Sequence, residues 1–297
     1  IHKRGRSGDR VLANPLVLRS YQGTWFNLLA VIELLLGLGL ALGAGSKVVH
    51  DFERRAADDL RSKLTGDAID IRVRAVPNGP INGASGDLLS AEILARSFST
   101  NGLPLYTEPE RPGRGRVREL RLELRDFRLA GLRVESLRAT IPDCRYDLGL
   151  ALSRGQIRLT RSGEGTGTVT LLAEDLGPWI TRRFREITEA RVEFRAGKVI
   201  VEGAGDFIVI KARFKVIAEL ESPDGRRIEL VRPRVWLDGQ RVPLSTAQAL
   251  LQTLNPVVDL DRDLKLDGAV DLQSVHLSQN RLTATGRARI PSRPKPR

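Results

Sequence analysis

The chain of 297 residues carries 48 basic and 36 acidic residues, a formal net charge of +12, with 41% hydrophobic residues and one cysteine. A single cysteine excludes an intramolecular disulfide and a cysteine-rich metal site. The positive balance invites a nucleic-acid reading, but 40 of the basic residues are arginines spread through alternating apolar runs; without an aromatic stacking platform no nucleic-acid partner is expected, and anionic lipid headgroups or water suit them better.

The first element is NLLAVIELLLGLGLALGAG at 27–45, charged only at Glu33. Residues 28–45 reach roughly 27 Å as a helix, close to the hydrocarbon thickness of about 30 Å, and Trp25 and Phe26 suit the headgroup level. Lys3, Arg4, Arg6, Arg10 and Arg19 precede the run against Asp9 alone. After it, Lys47, Arg54 and Arg55 face Asp51, Glu53, Asp58 and Asp59. The positive-inside rule then keeps the N-terminus in the cytoplasm and exports the main body. A cleaved signal peptide and a buried helix are the alternatives; the long leader, with Pro15 in it, favours a retained signal-anchor in the cytoplasmic membrane. The expected organisation is a cytoplasmic extension at 1–23, a transmembrane anchor at 24–46, an extracytoplasmic or periplasmic sheet domain at 47–290 and a basic tail at 291–297.

Glu33 lies about 12 Å beyond Trp25 along such a helix. A charge there costs about 2.5 to 3.5 kcal/mol, so Glu33 is expected to be protonated or partnered. Gly39 and Gly43, four residues apart, offer a close-packing face. Glu33 is therefore a candidate contact to a transmembrane protein partner, a tolerated polar position being the alternative.

Beyond the anchor, VVHDFERRAADDLRSKL at 48–64 spaces Val49, Phe52, Ala56, Leu60 and Leu64 for an amphipathic helix. IDIRVRAV at 69–76 switches to period two, with Ile69, Ile71, Val73 and Ala75 on one face and only Val76 breaking the polar face. LLSAEILARSF at 88–98 is strand or short helix, and TEPERPGRGR at 107–116 an exposed loop. VRELRLELRDFRLAGLRVESLRATI at 117–141 alternates Leu120, Leu122 and Leu124 with charges and resumes at Leu132 and Val134, the pattern of a sheet with one wet face. LSRGQIRLTRSG (152–163), FRAGKVIVEGAG (194–205) and LSQNRLTATGRA (277–288) read as recurring hairpins turning at Gly155, Gly197 and Asn280. Helices are expected at 174–184, with Leu176, Ile180 and Phe184 on one side, and at 245–256, with Ser245 as N-cap and Leu250, Leu251 and Leu254 inward. Strands are expected at 227–244 and 264–277. The fold class is mainly β with helices (α+β): a long curved antiparallel sheet wrapping or packed on a few helices, plus the N-terminal transmembrane helix.

No catalytic or metal site emerges, and no cofactor is expected. His50 belongs to the juxtamembrane helix and His276 to a strand without a motif. VVDLDRDLKLDG offers Asp259, Asp261, Asp263 and Asp267 but lacks the glycine and glutamate of a calcium loop, so these acids read as a solvated strand face, and Asp175 stands apart. GEGTG at 163–167 lacks the lysine and helix of a phosphate loop. Cys144 reads as a small, partly buried side chain. Binding or assembly is expected rather than an enzyme.

AEDLGPWI, VEFRAGKVIVEG, RIELVRPRVWLDGQRVPL, ALLQTLNPVVDLD and VHLSQNRLTATGRARI, in that order, resemble the bacterial family of exported or membrane-anchored domains of unknown function that includes the mycobacterial lipomannan elongation factor. The resemblance extends over residues 48 to about 290. It implies a non-enzymatic phospholipid binder with an apolar cavity, in which Trp179, Ile180, Phe184, Leu250, Leu251 and Leu254 contact lipid or fill a core. The alternative is an accessory or scaffold subunit of a large membrane complex, a photosynthetic one included.

Overall fold

The structure, a computed structural model, describes residues 45–109, 114–156, 158–207 and 210–292. Glu33 and most of the expected anchor lie outside them. Among the described residues no helix is long and apolar enough to cross a membrane.

Helix α1 (Gly45–Arg61) opens the described chain, followed by β1 (Asp70–Pro77), the short α2 (Gly79–Ala84), β2 (Asp87–Arg96) and β3 (Ser99–Thr100). The long β4 (Arg114–Leu129) and β5 (Leu132–Asp147) lead to α3 (Leu148–Arg154), β6 (Leu159–Arg161), β7 (Gly165–Leu172) and α4 (Ala173–Arg183). Next come β8 (Ile187–Arg195), β9 (Lys198–Phe207), β10 (Ile210–Glu221), β11 (Arg227–Leu237) and β12 (Gln240–Arg241). Helix α5 (Leu244–Leu254), β13 (Val258–Asp259), β14 (Val270–Ser278) and β15 (Arg281–Ala288) complete it.

The strands form two sheets rather than one. The larger runs β1-β2-β4-β5-β7-β15-β14, with β3 on β4 and β6 on β5; the smaller runs β12-β11-β10-β9-β8, with β13 on β11. A twisted sheet seldom exceeds about ten strands without curling or splitting, which accounts for the division. Between the named strands pairing is antiparallel except that β2 and β3 run parallel to β4, because the connection before β4 is long enough to carry the chain back to the sheet's other end. Residues 88–98 are thus largely strand.

Alternation sets the buried faces. Ile71, Val73 and Ala75 are buried while Val76 is exposed, and α1 turns Ala56 and Leu60 onto β1. On β4 the inward set passes from Leu120 and Leu122 to Phe127 and Leu129 across Asp126, whose φ is 50°. Outward-facing arginines meet carboxylates in the same sheet: Arg125 and Arg138 both approach Glu123, and Arg232 bridges Glu219 and Glu221. Many of the arginines are therefore engaged in outer-face pairs that, being exposed and screened, contribute little to stability.

Three local expectations are corrected. Residues 152–163 are not a hairpin: Asp147 accepts the Leu150 N–H at 2.9 Å to cap α3, and Gly155, at φ 65°, ends it in the left-handed conformation, so the glycine is a helix terminator. Ser245 lies inside α5, whose N-cap is Pro243. Residues 264–269 form an irregular loop preceding β14, with Lys265 and Asp267 at positive φ. The other two repeats are hairpins, β8–β9 and β14–β15.

Cys144 is fully buried on β5, and burial pushes its thiol pKa up. A buried thiol presents little thiolate to an alkylating agent. Maleimide at pH 8 is expected to leave the folded protein unlabelled and to add one adduct per chain in denaturant, as read by intact mass; labelling in the native state would contradict this packing.

Candidate functional site

Between the sheets lies an apolar cavity of ≈ 270 Å³, against the roughly 10–15 Å³ that one water needs. Phe127 and Val134 line it from the larger sheet, Val192 and Phe214 from the smaller. The two sheets are tied at the β14–β15 turn, where Asn280 Oδ1 accepts the Phe194 N–H at 3.2 Å, while Asn280 O accepts the N–H of Ala173, the first residue of α4, at 2.9 Å. Helix α4 and the stretch from Leu254 to Val270 contribute the remaining wall.

Four of the six sequence-predicted residues reach this wall: Trp179, Ile180 and Phe184 from α4 and its C-terminal end, and Leu254 from the last turn of α5. Leu251 is buried with Ala247 in the core but does not line the cavity; α5 packs on β11, and one helical face supplies both core and wall residues. Leu250 belongs to the same helix, and its side chain lies outside what the structure describes. Most of the wall comes from strands that the helix-centred expectation missed. Their alternation was the available signal, since the inward face of a curved sheet is the face that encloses space.

Helix α4 is seated by glycine. A Cβ on Gly177 would overlap the Ala190 carbonyl oxygen of β8, so a bare backbone is what lets the helix lie against the strand. That seating aims Trp179 and Ile180 at the cavity.

Next to the apolar cavity is a polar pocket of ≈ 430 Å³, lined by Ala130, Gly131, Trp179, Arg182, Arg183, Arg262 and Asp263. Asp263 is nearly inaccessible and pairs with Arg183 at 3.1 Å and Arg262 at 3.0 Å, while its Oδ2 accepts the Asp259 N–H at 2.9 Å. Burial by itself would raise the Asp263 pKa; the Arg262 and backbone hydrogen bonds and the Arg183 charge outweigh it and hold the carboxyl below its usual value. The expectation of a solvated acidic strand face is therefore corrected here: Asp259 accepts the N–H groups of Asp261 and Arg262 and Asp261 that of Gly268, so these acids tie a turn together. Arg182 donates to the Pro178 carbonyl at 3.0 Å and the Gly131 carbonyl at 2.7 Å. Gly131, at φ 83°, lies against that guanidinium.

His50 is exposed and meets Glu53 at 3.0 Å, and His276 is exposed on β14. Among the described residues no group of three or more histidines, cysteines or acids could hold a metal.

No match was found among curated proteins or solved structures. A family model described as LmeA-like phospholipid-binding matches residues 111–287, a stretch that contains the whole polar pocket and nearly all of the cavity wall. By that match the chain belongs to the LmeA-like phospholipid-binding family.

Proposed function

We propose that the protein is a non-enzymatic phospholipid-binding protein, anchored by residues 24–46 at the outer face of the cytoplasmic membrane, whose cavity takes up acyl chain. The observation that carries this reading is the cavity itself: side chains from both sheets and α4 enclose it, and the apolar lining matches a hydrocarbon chain. A soluble domain gains nothing by leaving such space empty, since facing apolar atoms lose their dispersion contacts across a void. Family membership supplies the lipid class. Support for the anchor is the apolar run with its positively charged leader.

The test is lipid analysis of the full chain. Purified in mild detergent and washed through several exchanges, it is expected to retain phospholipid that organic extraction releases and mass spectrometry identifies, and to take up phospholipid again from vesicles. A protein that retains none and takes up none would sink the reading.

A further inference from the structure

Three separate segments each contribute to both the apolar cavity and the polar pocket. At the β4–β5 turn, Leu129 and Leu132 line the cavity while Ala130 and Gly131, between them, line the pocket. On α4, Trp179 lines both, Ile180 and Phe184 the cavity, Arg182 and Arg183 the pocket. In the turn after β13, Leu260 and Leu264 line the cavity, Arg262 and Asp263 the pocket. The polar pocket thus lies against the apolar one, with Trp179 lining both.

Its charges do not cancel. Three guanidiniums surround one carboxylate, and Asp263 answers only Arg183 and Arg262. Arg182 donates to two neutral carbonyls and pairs with no acid among the described residues. Arg183 Nε is buried without an acceptor, a cost that a native structure normally meets with a partner. By contrast Arg287, also at the cavity wall, is already shared between Glu164 and Asp271. A net positive pocket beside an apolar cavity fits an amphiphile with an anionic head, and guanidinium forks match phosphate oxygens in particular.

We infer that Arg182, Arg183 and Arg262 form a phosphate-binding pocket that holds the headgroup phosphate of a lipid whose acyl chain occupies the cavity. The inference rests on the lipid-binding function proposed above and adds to it the side of the cavity at which the head sits and the residues that select a phosphorylated lipid over a neutral one.

The full chain in mild detergent, titrated with dioleoylphosphatidylglycerol and with dioleoylglycerol and read by native mass spectrometry, separates the two ideas because both probes carry the same chains. The parent is expected to bind the phosphatidylglycerol at least about tenfold more tightly, the scale of one or two charge-assisted hydrogen bonds. Arg182→Gln and Arg262→Gln should each shrink that ratio to about threefold or less, with folding checked separately by thermal unfolding. Arg232→Gln, the same loss of charge on the outer face of the smaller sheet, should keep the parental ratio. A parent that binds both lipids equally, or an unchanged ratio in Arg182→Gln, would overturn the headgroup pocket while the cavity reading stood. Binding of neither lipid would overturn both. Arg182-dependent binding of inorganic phosphate without any phosphatidylglycerol preference would show a free-anion site and overturn the lipid assignment.

Discussion

Replacing Gly177 with valine is expected to destabilise the domain by about 3 kcal/mol, at the upper end of the usual cost of overpacking. Helix α4 makes its most extensive contact with β8, and the Gly177 Cα faces the Ala190 carbonyl oxygen so closely that even a methyl group overlaps it. The opposing atom is backbone, which cannot swing aside as a side-chain tip can. Alanine is the instructive intermediate: it gains up to about 1 kcal/mol of helix propensity over glycine, yet it too is expected to destabilise, because the steric term exceeds that gain. Valine adds β-branching, which a helix also disfavours. For a domain of this size about 3 kcal/mol corresponds to a Tm lower by roughly 6–12 °C. The same displacement moves Trp179, Ile180 and Phe184 off the cavity wall, so lipid retention should fall with stability. Thermal unfolding by circular dichroism is the check; a valine variant within two degrees of the parent would mean that α4 is not seated through this glycine.

The elements most legible in the sequence are those whose side chains repeat on one geometric period. Ile71, Val73 and Ala75 announce a half-buried strand by alternation, and Val49, Phe52, Ala56 and Leu60 announce a helix by spacings of three and four. Leu176, Ile180 and Phe184 share a helix side by the same spacing, whereas Trp179 is named only through the family resemblance. Where a residue has two structural uses the pattern misleads. Gly155 sits between apolar-polar runs as a hairpin glycine would, yet it terminates α3, because Asp147 upstream can cap a helix and the seven residues between them suit one. Asp259, Asp261 and Asp263 alternate like a wet strand face, but short aspartate side chains also reach backbone N–H groups two or three residues on, and here that local bonding prevails.

The polar pocket could not be read from spacing at all. Gly131, Arg182 and Arg262 are far apart in the chain and meet only because a hairpin turn, a helix end and a post-strand turn are brought together by the two sheets. The one local trace is that Arg182 and Arg183 stand together in the last turn of α4, a place where basic side chains also complement the helix dipole, so the pair by itself names no pocket.

Ala284→Phe is expected to abolish lipid uptake without unfolding the protein. Ala284 is buried on β15, between Val169 of β7 and Val275 of β14 in the sheet register, and it lines the cavity. A phenylalanine there projects its ring into space that the proposed acyl chain would fill. In a packed core such a change would cost about 1–3 kcal/mol. In an apolar cavity the balance reverses, because fully burying a large apolar side chain contributes about 1.5–3 kcal/mol. Lipid retention should therefore drop by at least about tenfold, the equivalent of 1.4 kcal/mol of lost affinity, while the lipid-free protein melts at or above the parental temperature. Val192→Phe, from the facing wall on β8, should do the same, and agreement between two positions on opposite sheets separates blocked space from a local distortion. Lipid uptake is measured by extraction and mass spectrometry, and stability by thermal unfolding of delipidated protein. If both variants keep parental lipid loading, acyl chains do not enter between the sheets; if both lose loading but melt far below the parent, the loss reflects damage to the core instead of occupancy of the cavity.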